Sequence, residues 1–166
     1  MIITLKGDLS KLDFDIVVVG VTQNVTPESK VASKILDGMD IEGLELGRAK
    51  MIDGDGLACK KVIYCTCPIY IDGKKNEDEY LAACYWNSLS LAYQYMYDEK
   101  LDRVHVGFSS LATQESSFPN LEACQIALKT IKRLNNKFPE TKSIDICFVC
   151  DKTEDYMLYK EALQLR

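Results

Sequence analysis

A chain of 166 residues suits one domain spanning 1–166 with one sizeable core, and 47% apolar and 27% charged residues is an ordinary globular balance. The formal net charge of -5 argues weakly against a general nucleic-acid binder, which usually shows a basic stripe, and does not exclude a ligand held by backbone N–H groups. "MIITLKGD" has neither part of a signal peptide, no stretch approaches the ~18 apolar residues of a membrane span, and an odd count of seven cysteines reads as core thiols. Together these predict a reduced, cytoplasmic protein that neither enters a membrane nor binds nucleic acid.

In chain order, "MIITL" is a strand run that ends at Gly7-Asp8, and "DIVVVGV" is a second. Pro27 predicts the first turn of a helix through "PESKVASKIL". Asp37 to Gly56 is irregular, with a short strand through "LELGRAKMI" and a tight turn at "DGDG". The strand "KKVIYCTC" precedes a helix, "EDEYLAACYWNSLSLAYQYM", with Leu81, Cys84, Tyr85, Ala92, Tyr95 and Met96 near one face. The strand "RVHVGF" leads to the helix "PNLEACQIALKTIKRL", with an apolar stripe of Leu121, Cys124, Leu128, Ile131 and Leu134. "SIDICFVC" is the last strand, and Asp151 is placed to cap a final helix, "TEDYMLYKEAL".

The strand runs are short, rich in β-branched residues and mostly not alternating, which suits strands buried on both faces. Their alternation with helices predicts an α/β fold: a three-layer α/β/α sandwich around a mixed, largely parallel sheet. Ligands of such sheets bind beyond the carboxyl ends of the strands. The segments to watch are Thr22–Lys30, Pro68–Asn76, Ser109–Pro119 and Asp151–Glu154.

Most other motifs have plain structural readings. Cys147 and Cys150 lie three apart in a strand and face opposite ways, unlike a redox pair at a helix start. Cys65 and Cys67 share a strand face, but His105 is the sole histidine, so nothing calls for a metal or cofactor. "DGDG" lacks the closing Glu of a calcium loop, since its twelfth position is Tyr64. His105, within a strand, has no triad signature around it. Tyr80, Tyr85, Trp86, Tyr93, Tyr95 and Tyr97 crowd one helix and read as packing, with a partner surface as the minority reading.

Laid end to end, "KGDLS", "DIVVVGVTQN", "VASKI", "LGRAKMIDGDGLACKKVIYCTCPIY", "LAACYWNSLSLA", "VGFSSLATQESSFPNLEACQIALKTI" and "ICFVCDKTEDYMLYKEAL" resemble, in order and spacing, the segments of a macrodomain, the ADP-ribose-binding module. The resemblance runs from about Ile2 to Leu163. It implies that Asp8 accepts a hydrogen bond from the exocyclic amine of adenine and that the Leu9 backbone frames the ring. The residues alone leave a second role open, in which Asp8 closes its own turn.

The departures fall where the family holds its diphosphate. The family's two Asn positions align with Val19 and Thr22, and Asn24 is the available substitute for the second. The first phosphate loop, a glycine run in the family, is "TPESK" here: Pro27 removes a donor and Glu28 adds negative charge. The second is "ATQESS", with Gln114 and Ser117 at the glycine positions and Ser116 at the aromatic one. The resemblance therefore implies a crevice lined by Asp8, Leu9, Thr22, Asn24, Ser110, Thr113, Gln114, Ser116 and Phe118. It would bind ADP-ribose or a related adenine nucleotide without efficient hydrolysis and without an assigned catalytic residue. Two alternatives stand beside it. One is a hydrolase or deacylase whose water is positioned by Asn24, Gln114 or Glu115. The other is a macrodomain-shaped protein that has lost the nucleotide and works through a protein partner.

Overall fold

The computed structural model describes residues 1–164. Six strands and four helices follow one another: β1 (Ile2–Lys6), β2 (Ile16–Val21), α1 (Lys30–Leu36), β3 (Ala49–Asp53), β4 (Lys61–Thr66), α2 (Glu77–Asp98), β5 (Val104–Phe108), α3 (Asn120–Lys137), β6 (Ile144–Cys150) and α4 (Thr153–Gln164). The strands form one sheet in the order β1-β6-β5-β2-β4-β3. All neighbours run parallel except β3, which pairs antiparallel with β4 through the hairpin that begins at Gly54. The central strand β2 is buried at all six residues, as its unbroken apolar run requires, whereas edge strands β1 and β3 alternate between half-buried and exposed positions.

The two faces of the sheet carry separate cores. Ile16, Val18, Ile63, Phe108 and Phe148 point to one side, under Leu81, Tyr85 and Leu89 of α2, Ile131 of α3 and Tyr159 of α4. Val17, Val19, Tyr64 and Val149 point to the other, under α1 and the 3-10 turn Leu9–Lys11. Residues one apart on a strand face opposite layers, so β2 alone feeds both cores. The result is the expected three-layer α/β/α sandwich. Cys147 and Cys150 fall in opposite cores, as their spacing demands.

Three local expectations are corrected. α1 does not start at Pro27. It starts at Lys30, where the Ser29 hydroxyl accepts from the Ala32 N–H at 3.1 Å, while Pro27 sits in an antiparallel bridge with Val21. In α3 the buried face is Ala123, Cys124, Ala127, Thr130, Ile131 and Leu134, and Leu121 is 54% exposed. Small residues own this face because α2 and α4 crowd it. The Asp151 carboxylate accepts from the side-chain amide of Gln114 at 3.2 Å, so its recorded partner is a loop and not the last helix.

Candidate ligand crevice

The loops that leave the carboxyl ends of β2, β4 and β5 pack directly on one another. After β2 the chain turns back at once. Thr22 N–H donates to Thr26 O at 2.8 Å, Val25 N–H to Thr22 O at 2.9 Å, and Glu28 N–H to Gly20 O at 3.0 Å. This small hairpin lays Glu28 over the end of its own strand. The second loop, 109–119, wraps around the same residue. Gln114 and Ser116 N–H donate to Glu28 Oε1 at 2.7 and 3.4 Å, and Glu115 N–H donates to the Glu28 carbonyl at 3.0 Å. Glu28 is only 1% exposed. Burial pushes its carboxyl up to about 7, and the amides of Gln114 and Ser116 pull against that rise.

A second carboxylate does similar work nearby. Glu77, at the start of α2, accepts from the backbone N–H groups of Ile71, Asp72, Gly73 and Lys75 at 2.7 to 3.1 Å. These donors, led by Ile71, hold its carboxyl down at about 2. That loop is tied to the second one, for Tyr70 N–H donates to Ser116 O at 2.8 Å and the Tyr70 and Phe118 rings meet edge to face at 4.9 Å.

The structure brings Ser110, Thr113, Gln114, Ser116 and Phe118 together on the second loop. Ser110 and Thr113 hydroxyls are 3.1 Å apart, Phe118 is buried, and Ser116 Oγ is buried with no hydrogen-bond partner among the described residues. Thr22 is spent inside the hairpin, and Asn24 stands exposed at its tip. Asp8 lies at the end of β1, with β6 and β5 between it and β2. It caps the 3-10 turn through Ser10 N–H at 3.0 Å and Ser10 Oγ at 2.5 Å, and it pairs with Lys34 of α1 at 3.1 Å. Its pKa is lowered, first by the Ser10 hydroxyl. Leu9 is buried in the α1-side core. Turn closure is thus the recorded role of Asp8, with its second oxygen held by a lysine that is itself exposed.

Backbone strain gathers here as well. Val25, Ala112 and Ser117 have φ of 63°, 68° and 58°, a region that only glycine enters freely. Ser117 thus holds a left-handed conformation that its β-carbon disfavours. Ser117→Gly is therefore expected to stabilise the protein by roughly 0.5 kcal/mol, because relief of the left-handed strain exceeds the added freedom of the unfolded chain. Thermal unfolding would show a rise of about 1–2 °C, and an unchanged or lower Tm would contradict it.

Sequence reasoning missed the burial of Glu28. It also missed a group of three thiols, because Cys84 comes from α2 to join Cys65 and Cys67, with all three sulfurs within 4.8 Å of one another. Only a soft cation that strips their protons suits such a set. Cys84 Sγ faces Thr66 O at 3.3 Å and Cys65 Sγ faces Val19 O at 3.6 Å. Hydrogen bonding to Cys65, then burial, keeps Cys67 and Cys84 protonated. Asp155, buried at the start of α4, is pushed up to about 6 by burial. His105 lies at the opposite end of the sheet, 63% exposed and 3.6 Å from Asp145. Of the tyrosine-rich helix, Tyr85 is wholly buried and Tyr97 is 69% exposed. No described helix is long and apolar enough to cross a membrane.

A mixed, largely parallel sheet between layers of helices, with the loops after β2 and β5 packed together at its carboxyl edge, is the architecture that the comparisons with known proteins identify. The Macro domain family model matches residues 20–127, and the chain belongs to that family. A Cronobacter turicensis protein described as an O-acetyl-ADP-ribose deacetylase is 27% identical over 173 residues, covering 96% of this chain and 93% of that protein. A macro domain-containing protein of Methanosarcina mazei is 32% identical over 125 residues, covering 74% of this chain and 62% of that protein. Among solved structures, the Trypanosoma brucei macrodomain in complex with ADP-ribose matches with a TM-score of 0.81 at 21% identity, covering 98% of this chain and 68% of that one. The Oceanobacillus iheyensis macrodomain with ADP matches with a TM-score of 0.78 at 23% identity, covering 98% and 89%.

Proposed function

We propose that this protein is a non-hydrolysing binding module for ADP-ribose or a related adenine nucleotide, which lies across the carboxyl ends of the strands with its base toward Asp8 and its phosphates toward the loop 109–119. The observation that carries the reading is that the loop after β5 turns two backbone N–H groups, those of Gln114 and Ser116, onto one carboxylate oxygen of Glu28. Two backbone donors turned onto one carboxylate oxygen mark an anion-binding nest, whichever anion fills it. The solved structures named with ADP-ribose and ADP share this fold. The carboxylate of Asp8, exposed at 27%, is open to a base once Lys34 swings away.

The absence of hydrolysis rests on the groups that would handle water. Thr22 is consumed by its hairpin, Asn24 and Glu115 face solvent, and Glu28 is engaged by two amides. A general base must lie within hydrogen-bond reach of the water it activates; Thr22 and Glu28 are already engaged, and Asn24 and Glu115 are exposed. The enclosed Glu28 favours, as a second reading, a chain that has left nucleotide binding altogether.

Isothermal titration with ADP-ribose tests the proposal. Weak binding is expected, with a Kd of order 100 μM, and Asp8→Ala should weaken it at least about tenfold. O-acetyl-ADP-ribose should bind in the same range without turnover. Heat absent up to millimolar ligand, in the wild type and after removal of the Glu28 side chain, would reject the nucleotide.

A further inference from the structure

We propose that Glu28 is a built-in anion that occupies the phosphate nest of the crevice, so that it sets ligand specificity by excluding any ligand whose phosphates must use the same amides. The inference rests on the nucleotide-binding reading for the identity of the excluded ligand, but its physical core is independent of that identity.

Four observations carry it. The carboxylate is wholly enclosed, and its Oε1 takes two backbone N–H groups of a loop 86 and 88 residues away in sequence. The main chain of Glu28 is fixed on both sides, by Gly20 O below and by Glu115 N–H above. The side chain, 1% exposed and held by the amides of the loop 109–119, can leave only if the packing around it opens. Gly20 leaves no slack beneath it, since a β-carbon there would stand 2.7 Å from Cys67 Sγ and 3.5 Å from Glu28 Cβ. Finally, the hairpin that delivers Glu28 holds Val25 at φ 63°, and a β-branched residue adopts that conformation only under constraint. The chain thus accepts backbone strain and a buried charge at one place, and both end with a carboxylate where a phosphate would otherwise sit. A carboxylate and a phosphate oxygen make the same demand on a nest of N–H groups, namely charge-assisted acceptance. The two anions cannot share it, because each would face the other's charge in a medium that screens poorly.

The competition has a direct consequence for ligand class. A nucleoside without phosphate makes no claim on the nest and is indifferent to Glu28. A diphosphate that uses the same amides must displace the carboxylate. Specificity of this kind works by placing a repulsive group against the unwanted ligand.

The test uses the full chain with Glu28→Gly, which empties the nest while keeping the backbone N–H to Gly20, and Glu28→Gln, which keeps the shape and one acceptor but removes the charge. Inorganic pyrophosphate, ADP-ribose and adenosine are titrated against both variants and the wild type at pH 8, where the Glu28 carboxyl is ionised. Glu28→Gly should bind pyrophosphate where the wild type shows none, and should gain at least about tenfold for ADP-ribose. Glu28→Gln should fall between, and adenosine should change less than about twofold in every variant, since its binding leaves the nest alone. Equal gains for adenosine and ADP-ribose would mean that Glu28 only fills volume, and would overturn the proposal. A folded Glu28→Gly with no gain for pyrophosphate would overturn it too. Pyrophosphate binding in Glu28→Gly without ADP-ribose binding in any variant would support Glu28 as the nest's anion and reject the nucleotide reading instead. Should Glu28→Gly not fold, the amide protons of Gln114 and Ser116 decide. They should move upfield from wild type to Glu28→Gln as a charged acceptor becomes a neutral one, and unmoved amides would sink the idea.

Discussion

Glu28→Gln is expected to raise the melting temperature at pH 8 by several degrees and to leave it nearly unchanged at pH 4. The Glu28 carboxyl rises from 4.5 to about 7 on folding, chiefly because burial strips it of water. The sign follows from proton counting. Between pH 4.5 and about 7 the native protein holds a proton that the unfolded chain has released, so wild-type stability is greatest below 4.5 and declines as pH rises through that window. Above pH 7 both states are ionised and the penalty is complete, at roughly 3 kcal/mol. Glutamine keeps an acceptor for the Gln114 and Ser116 amides and has no charge to bury, so the gain over wild type should open across the same window. For a chain of this size it corresponds to about 6–12 °C at its full extent. Asp155, also raised by burial, titrates in both proteins and cancels in the difference. Melting curves of the two proteins from pH 4 to 8 provide the check. A constant offset at all pH values would mean that packing and not charge distinguishes them.

Gly47→Ala is expected to cost about 3 kcal/mol, of which the left-handed conformation supplies about 1–2 and overpacking the rest. Gly47 has φ 81°, and a β-carbon there would stand 2.8 Å from Ala83 Cβ and 3.3 Å from Tyr80 O. The residue cannot retreat. Its N–H donates to Thr66 O at 2.9 Å, and its carbonyl accepts from Asn87 Nδ2 at 2.7 Å, so it pins α2 against the end of β4. Gly56 makes the control. It has the same φ of 81° with nothing within 4 Å of its missing β-carbon, so Gly56→Ala bears only the backbone cost. Urea unfolding of both variants should separate them by roughly 1–2 kcal/mol. Equal losses would remove the packing half of the argument.

Both predictions concern residues whose importance the chain states unevenly. Gly47 reads as part of a short strand through "LELGRAKMI", and its left-handed conformation just before β3 was not legible there. Glu28 was legible as an added negative charge in a loop that should be glycine-rich. That the charge would be enclosed was not, because the hairpin 20–28 depends on Pro27 leaving the helix to bridge Val21. A proline before a helical pattern reads equally well as the helix's first turn, and only the sheet beneath decides between the two.

What the sequence determined by itself follows from short-range rules. Runs of Val and Ile make strands, periodic apolar faces make helices, and their alternation makes a parallel sheet whose loops meet at the carboxyl edge. The order of seven segments then identified the family, and the spacing of Cys147 and Cys150 assigned them to opposite layers. Tertiary structure alone decided that Glu28 meets Gln114 and Ser116, that Cys84 joins Cys65 and Cys67, and that Asp8 is held by Lys34. Each of these joins residues from separate elements. Periodicity fixes which way a side chain points from its own element, but the partner it meets is set by how the layers pack, and a loop with no period carries even less of that information.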